Sequence, residues 1–236
     1  VPVNLLLYAY DESGTLYAVN QEAKGKTHFL VVGNNLLSNL LFGIAVRKAT
    51  GPDARIICLF DKKSDIMFKG KQIDELVNST FTEIHYVNIL KPMECLQRLN
   101  AEGLYDMSIN CANIPGAETV NILATRYGGT VFFANLINNY NIAVYITESI
   151  SRQLNIRCAE GYLETYDEFD IGIVKELSAS LQGVTVIQQK VEDDADYPLG
   201  RLGAGLEMPQ YRKSLVEDFI CESRAMAVVL DETLSV

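Results

Sequence analysis

The hydrophobic positions of the chain are spaced in a regular, alternating way from about residue 27 onward. Short runs of consecutive apolar residues, such as Phe29–Val32, are typical of strands that are buried on both faces of a sheet. The run is followed by a segment, Leu36–Lys48, in which apolar residues recur every three or four positions. Such strand–helix units, repeated along the chain, predict an α/β fold built on a parallel sheet.

The predicted order of elements gives a doubly wound, Rossmann-like parallel sheet with three layers, α/β/α. The predicted strands are His28–Val32, Arg55–Phe60, Ile84–Val87, Asp106–Cys111, Thr130–Ala134 and Asn155–Ala159. The predicted helices are Leu36–Lys48, one that ends at Asp74–Val77, Pro92–Leu99, Glu118–Tyr127 capped by Gly128 and Gly129, one that reaches about Arg152, and Glu164–Leu181. Val184–Gln188 is a candidate for one more strand.

Four segments are expected along the chain. Residues 1–26 are expected to form an extended lead-in, in which Thr15–Val19 returns as the second strand of a hairpin. The Rossmann-like domain covers residues 27–188. A linker with an acidic run and several glycines follows at residues 189–213, and an amphipathic helix is expected at residues 214–236.

Composition restricts the classes of protein to which the chain can belong. Of its 236 residues, 48% are hydrophobic and 21% are charged, which suits a packed globular core and excludes general disorder. The net charge of −10 opposes binding to nucleic-acid phosphates, so no direct contact with nucleic acid is expected. No apolar run approaches the roughly 18–20 residues of a membrane span, so no membrane contact is expected.

The cysteines indicate a reducing compartment. The five cysteines are odd in number, widely spaced and without a C-x-x-C motif. Only His28 and His85 are available to complete a zinc set. We therefore expect a cytoplasmic protein with no structural metal, in which both histidines are structural.

A candidate nucleotide site follows the first predicted strand, because ligands of doubly wound sheets bind at the carboxyl ends of the strands. The loop Gly33–Asn39 keeps only the first glycine of the dinucleotide fingerprint, since Leu36 and Asn39 stand where phosphate approach and close packing favour glycine. Asp61 ends the next strand about 28 residues further on, where a carboxylate would bind a ribose hydroxyl. The pattern is therefore a weak signal for NAD or NADP.

Seven residues at this edge are candidates for binding, and amides predominate among them. Amides orient a polar ligand without supplying an acid–base catalyst, and no catalytic residue is indicated. Amides at strand ends also cap helices, so both roles stay open. The cofactor-binding candidates are Gly33, Asn34, Asn35 and Asp61, and the ligand-binding candidates are Asn110, Asn113 and Asn135.

Residues from about Gly25 to Leu181 resemble the nucleotide-binding half of the L-erythro-3,5-diaminohexanoate dehydrogenases. The most specific matches are Asp106–Glu118, Lys91–Met93 and Gly128–Phe133. The resemblance implies a Rossmann fold, and it departs from the family at the phosphate loop, where one glycine of three is kept. In the family the catalytic domain precedes this unit, whereas here only about 25 residues do, which implies that this chain has no dehydrogenase activity of its own.

Residues Phe219–Leu230 resemble the entry to the AAA+ domain of sigma-54-dependent transcription activators, which reads I-G-x-S-x-A-M before an amphipathic helix. Ser223 matches as the helix cap, and Cys221 stands in place of the usual glycine. The resemblance implies a downstream AAA+ domain in the same polypeptide, tethered through residues 189–213. An ordinary amphipathic helix is the alternative.

The two resemblances together predict the N-terminal signal-sensing domain of a bacterial sigma-54-dependent regulator, derived from a dehydrogenase and not catalytic. We expect it to bind a small metabolite, such as an intermediate of amino-acid fermentation, and to form a homo-oligomer. The alternative is the NAD(P)-binding part of a 3,5-diaminohexanoate-type dehydrogenase. A ligand-free oligomerisation module is the third hypothesis.

Overall fold

The computed structural model describes residues 14–62, 66–69, 71–100, 104–112, 114, 116–134, 150–158, 166–180 and 185–188. The strands are β1 (His28–Gly33), β2 (Arg55–Asp61), β3 (Ile66–Lys69), β4 (Glu83–Val87), β5 (Tyr105–Asn110), β6 (Thr125–Phe133), β7 (Asn155–Cys158) and β8 (Thr185–Gln188). The helices are α1 (Thr15–Ala23), α2 (Leu36–Thr50), α3 (Lys71–Thr80), α4 (Pro92–Leu99), α5 (Glu118–Ala124) and α6 (Tyr166–Ser180).

Six of the strands form one sheet in the order β4-β2-β1-β5-β6-β7, and every pairing in it is parallel. The chain runs outward from β1 to β4 on one side and then returns to the centre at β5. The predicted doubly wound parallel sheet is therefore confirmed. Its topological switch point lies between β1 and β5.

Helices cover both faces of the sheet, and β1 shows why its sequence is apolar throughout. Phe29 and Val31 pack into a core under α1, α2, α3 and α6. Leu30 and Val32 pack into a second core under α4 and α5. Alternate residues of one strand therefore serve opposite faces, and burial of each such side chain contributes about 1.5–3 kcal/mol.

The hairpin strand predicted at Thr15–Val19 is wrong, because this segment begins helix α1. Leu16, Val19 and Ala23 are spaced at helical intervals and are fully buried in the core beside α2. The buried Asn20 side chain donates to the Ala45 carbonyl at 2.8 Å, which joins the two helices. The first 13 residues of the expected lead-in lie outside the described residues.

Helix α6 also holds the start of α1. The Asp170 side chain is 2% exposed, and its Oδ2 accepts a hydrogen bond from the Gly14 backbone N–H at 3.2 Å. Gly14 precedes the first residue of α1 and has no side chain with which to cap the helix. Among the described atoms, Asp170 Oδ1 is buried without a hydrogen-bond partner.

The helix after β5 is shorter than predicted. It ends at Ala124, and Gly128 and Gly129 lie inside β6 instead of capping the helix. A Cβ on Gly129 would lie 2.6 Å from Thr125 Cγ2 and 3.1 Å from the Asp106 carbonyl oxygen. The glycines therefore allow β6 to start early and run close to β5, where the pairing register also shifts.

Two polar side chains organise the amino-terminal edge of the sheet, opposite the switch-point crevice. Arg47 Nη1 donates to the carbonyls of Gly51 and Ala54, and Nη2 donates to the Thr80 carbonyl at 2.9 Å. Asp106 accepts from the Thr27 backbone N–H at 2.8 Å. These bonds hold the segments that lead into β1, β2 and β4.

A small second sheet was not expected. β3 pairs antiparallel with β8, and Ile66 lies opposite Gln188. The strand predicted at Val184–Gln188 is thus present as Thr185–Gln188, outside the main sheet. The linker at 189–213 and the helix at 214–236 lie outside the described residues and stay predictions.

Candidate functional site

The crevice at the switch point is framed by the carboxyl ends of β1 and β5. After β1 the chain enters α2 on one face of the sheet, and after β5 it reaches α5 on the other face. The two connections therefore diverge at adjacent strands and leave a crevice between them. Asp61 ends β2, the strand on the other side of β1.

Gly33 closes β1 at a point where no side chain fits. A Cβ there would lie 2.0 Å from Asn39 Oδ1 and 2.7 Å from Cys111 Sγ. Helix α2 can therefore approach the sheet only because residue 33 is glycine. The first glycine of the fingerprint is thus present, and in this chain it allows α2 to pack closely on β1.

Asn39 fills the space beside Gly33 and ties the three central strands together. It is fully buried, and its Nδ2 donates to Cys58 Sγ at 3.1 Å. The Cys111 thiol donates to Asn39 Oδ1 at 3.6 Å. Burial raises the pKa of Cys58 to about 12, although the Asn39 hydrogen bond opposes the change, so this group is a thiol near neutral pH. The amide thus acts as a packing element between α2 and the sheet, one position after Ser38, where the spacing counted from Gly33 places the third glycine of the fingerprint.

Asn35 caps helix α2. Its backbone is extended (φ −125°, ψ 121°), and its Oδ1 accepts a hydrogen bond from the Leu37 backbone N–H at 2.9 Å. Counted from Gly33, the fingerprint spacing places its second glycine at residue 35, one position before Leu36. Asn35 and not Leu36 is therefore the residue whose side chain occupies this helix end.

Asp61 is brought to the crevice edge at the end of β2 and is fully buried. The next backbone N–H, from Lys62, donates to the Val87 carbonyl at 2.8 Å, which fixes the chain that leaves β2. Burial raises the pKa of Cys95 to about 12, and the charge of Asp61 adds to this effect. The negative charge at the end of β2 therefore affects the pKa of a thiol on the α4 side of the sheet.

A polar network lies at the end of β5. Asn110 is fully buried; its Nδ2 donates to Asn121 Oδ1 at 2.9 Å, and its Oδ1 accepts from the Ala112 N–H at 3.1 Å. Glu118 Oε2 accepts from the Gly116 N–H at 2.8 Å. Burial raises the pKa of Glu118 overall, although hydrogen bonds from the backbone N–H groups of Glu118 and Gly116 oppose the change.

Two buried polar atoms of this network have no hydrogen-bond partner in the described part of the chain. They are Glu118 Oε1 and Asn121 Nδ2. The sequence analysis did not identify these two residues as members of one site. Polar residues three positions apart in a short, otherwise buried helix were the only signal for them.

Five of the seven sequence-predicted residues lie at this edge: Gly33, Asn34, Asn35, Asp61 and Asn110. Asn34 and Asn35 are half-buried. Asn113 and Asn135 lie outside the described residues. Ligand binding by any of the seven stays a prediction.

The described part of the chain contains no group of three or more metal-binding side chains. It also contains no helix long and apolar enough to cross a membrane. Of the described cysteines, Cys58, Cys95 and Cys111 are buried and Cys158 is exposed. His85 Nε2 lies 3.3 Å from Glu83 Oε2 on the same strand.

Two curated relatives are both named L-erythro-3,5-diaminohexanoate dehydrogenase. The protein of Acetoanaerobium sticklandii is 25% identical over 175 residues, which covers 73% of this chain and 49% of the relative. The protein of Fusobacterium nucleatum subsp. nucleatum is 24% identical over 165 residues, which covers 69% of this chain and 46% of the relative. The chain therefore spans about half the length of the curated relatives it matches, and the predicted resemblance to these dehydrogenases is confirmed as similarity over part of the chain.

Solved dehydrogenase structures also match the chain. L-idonate 5-dehydrogenase from Escherichia coli is 14% identical, with a TM-score of 0.48, over 75% of this chain and 47% of that chain. 2R,3R-butanediol dehydrogenase from Bacillus subtilis is 16% identical, with a TM-score of 0.47, over 71% of this chain and 44% of that chain. No protein-family model matches the chain. The predicted AAA+ entry at Phe219–Leu230 is not tested by these relatives and stays a prediction.

Proposed function

We propose that this chain is the dinucleotide-binding unit of a protein related to the 3,5-diaminohexanoate dehydrogenases, and that it binds NAD or NADP in the switch-point crevice. The observation that carries the proposal is the extent of the similarity, 73% of this chain, over a unit whose sheet reverses between β1 and β5. Doubly wound sheets bind nucleotides at such a reversal. That the whole protein has the dehydrogenase activity of these relatives is likewise a proposal.

The residues at the crevice fit a dinucleotide, with two obstacles. The pyrophosphate would meet backbone N–H groups at the start of α2, and the Asp61 carboxylate would accept from a ribose hydroxyl. Gly33 already allows the close packing of α2 on β1. The first obstacle is the Asn35 side chain, which holds the Leu37 N–H. The second is the complete burial of Asp61, whose carboxylate has to become accessible before it can accept from a ribose hydroxyl. When bound, the nicotinamide ring supplies the site that accepts or donates hydride.

Binding is tested by calorimetry with NAD, NADH, NADP, NADPH and adenosine. Wild-type protein is expected to bind at least one dinucleotide. Asp61→Asn should weaken that binding about tenfold or more, because a hydrogen bond to a charged acceptor contributes about 1.5–3 kcal/mol. Asp53→Asn is the matched control, since Asp53 is exposed in the turn before β2 and should leave affinity unchanged. Absence of heat with all four dinucleotides at millimolar concentration contradicts the proposal.

A second candidate function is ligand sensing in a sigma-54-dependent regulator, with a small metabolite as ligand and an AAA+ domain downstream. The observation that favours it is the amide-rich edge, with Asn34 and Asn35 after β1 and Asn110 at the end of β5. Amides orient a ligand without exchanging protons.

A turnover assay on this chain and an activity assay on the full-length protein together separate the two candidate functions. Incubation of this chain with 3,5-diaminohexanoate and NAD or NADP should give no rise in the absorbance of reduced cofactor if the chain only binds. A sustained rise would contradict the sensor candidate. In the full-length protein, a dinucleotide or diamino acid that changes ATPase or transcription activity without being consumed would support sensing.

A further inference from the structure

Helix α5 carries two buried polar side chains that each have one unpartnered atom. We infer that Glu118 and Asn121 form an enclosed binding site for one water molecule, which joins the two side chains into a single polar network. Both residues are completely buried, and both belong to the helix that packs against β5. The inference does not depend on the proposed function.

The Glu118 side chain supplies an acceptor in a fixed position. Its Oε2 accepts from the Gly116 N–H at 2.8 Å, so one end of the carboxyl group is held by the turn before the helix. That turn is itself fixed, because Gly116 has a φ of +96°, which favours glycine. Glu118 Oε1 is buried and accepts from no group in the described residues. Buried carboxyl oxygens in native proteins almost always have a partner.

The Asn121 side chain supplies a donor, and a chain of hydrogen bonds determines which of its ends that is. The Ala112 N–H donates to Asn110 Oδ1, so Asn110 presents its Nδ2 to Asn121. Asn121 Oδ1 accepts this bond at 2.9 Å. Exchange of the oxygen and nitrogen of either amide would place two donors against each other. Asn121 Nδ2 is therefore an N–H donor, and it is buried without a partner among the described groups.

The backbone of α5 is bonded to β5, which keeps the donor and the acceptor in the interior. The Asn121 carbonyl accepts from Thr125 Oγ1 at 2.6 Å and from Ser108 Oγ of β5 at 3.3 Å. The two hydroxyl oxygens lie 2.7 Å apart, and both residues are completely buried. A shift of the helix that exposed Asn121 to solvent would break these bonds.

The chemistry of the two atoms identifies the occupant. It has to accept from an amide N–H and donate to a carboxylate oxygen. A metal ion or an ammonium group cannot accept, and a halide ion cannot donate. Residues three positions apart on a helix have Cβ atoms about 5–6 Å apart, a separation that one bridging oxygen can span. A buried water makes about two to four such bonds, and complete burial of both side chains favours water over a larger hydroxyl-bearing ligand.

The water would close a polar chain around the connection from β5 to α5, which borders the switch-point crevice. One end of the chain is the Ala112 N–H and the other is the Gly116 N–H. Between them the chain passes through Asn110, Asn121, the water and Glu118. The water therefore helps to fix the shape of this connection from inside the fold.

The first experiment is NMR on the whole chain labelled with ¹⁵N, in which magnetisation is transferred from water to side-chain amide protons. The Asn121 side-chain signal should show a nuclear Overhauser effect with the sign of a long-lived bound water. Asn100 is the control, because it is exposed and its side chain should show no such effect. Absence of the effect at Asn121 in the folded wild type overturns the inference.

The second experiment counts long-lived internal waters by ¹⁷O relaxation dispersion in wild type and two variants. E118Q keeps an oxygen for the Gly116 N–H and a polar group beside Asn121, so the count should not change. E118L removes the polar partner, and the count should fall by a single water. Thermal melting reports whether each variant folds, and the wild-type NMR result decides the question if E118L does not. An E118L variant that folds and keeps the wild-type count overturns the inference, as does a crystal structure in which Glu118 Oε1 and Asn121 Nδ2 bond each other directly.

Discussion

Ionisation of Asp170 should destabilise the folded chain. Burial raises the pKa of this carboxyl to about 6, against the hydrogen bond from the Gly14 N–H, and the charge of Asp167 raises it further. A raised pKa means that the folded state holds a proton that the unfolded state has already released. The contribution of Asp170 to stability is therefore greatest below the ordinary pKa of 3.8, falls as pH rises toward about 6, and is constant above that value.

The magnitude follows from the two pKa values. The difference between about 6 and 3.8 corresponds to at most about 3 kcal/mol, at about 1.4 kcal/mol per pKa unit. Asp170→Asn removes the charge and keeps an oxygen for the Gly14 N–H. The variant should be more stable than wild type at pH 7.5, by about 1–3 kcal/mol, and about equal to it at pH 4.

Urea unfolding at pH 4, 5, 6 and 7.5 measures this difference, and the comparison with wild type cancels the titration of other carboxyls. Asp167→Asn is the control, since Asp167 is exposed on the same helix and acts only through its charge. Its stabilisation at pH 7.5 should be smaller than that of Asp170→Asn. An Asp170→Asn variant that is less stable than wild type at pH 7.5, or equally shifted at every pH, would refute the reasoning.

Three further substitutions have outcomes that urea unfolding can check. Arg47→Lys should destabilise the fold by about 1–3 kcal/mol, because a lysine cannot bond the Thr80 carbonyl and the neighbouring turn carbonyls at once; an unchanged midpoint would contradict this. Gly33→Ala should cost about 1–3 kcal/mol through the clash with Asn39, and Asn39→Ala should lessen that cost in the double variant. Although burial raises the pKa of Asp106, hydrogen bonds from the Thr27 and His28 N–H groups and the charge of Arg126 lower it overall. Its contribution is thus fully present above about pH 4 and is lost as pH falls through the lowered pKa of the folded state, so Asp106→Asn should destabilise the fold at pH 7 and cost less at lower pH, and an equal cost at every pH would contradict this.

The main sheet was accessible from the sequence because its strands are buried on both faces. Such strands are continuous apolar runs, and β1 followed by α2 shows the contrast of spacing most clearly. Helix α1 was missed because its short apolar stripe follows turn residues and resembles an alternating strand over Thr15–Val19. The early start of β6 depends on a close approach to β5 that no local pattern records.

The sequence predicted which residues lie at the candidate site, but it did not predict what their side chains contact. Strand ends identified Gly33, Asp61 and Asn110, since parallel strands bring their carboxyl ends to one edge. What each polar side chain bonds to depends on neighbours far along the chain. Asn110 holds Asn121, and Asn39 holds Cys58, so amides that suggested ligand contacts also carry internal structure.

The pairing of β3 with β8 has a consequence for the order in which the chain folds. Ile66 meets Gln188, so the pair closes a stretch of 122 residues (188 minus 66). Closure of so long a loop costs about 4 kcal/mol of chain entropy until the sheet and helices between the two strands have formed. A four-residue pair cannot offset that cost alone, so we expect it to form last during synthesis and to open first under stress. Any segment that follows Gln188 is therefore joined to the folded unit through a strand whose pairing depends on completion of everything before it.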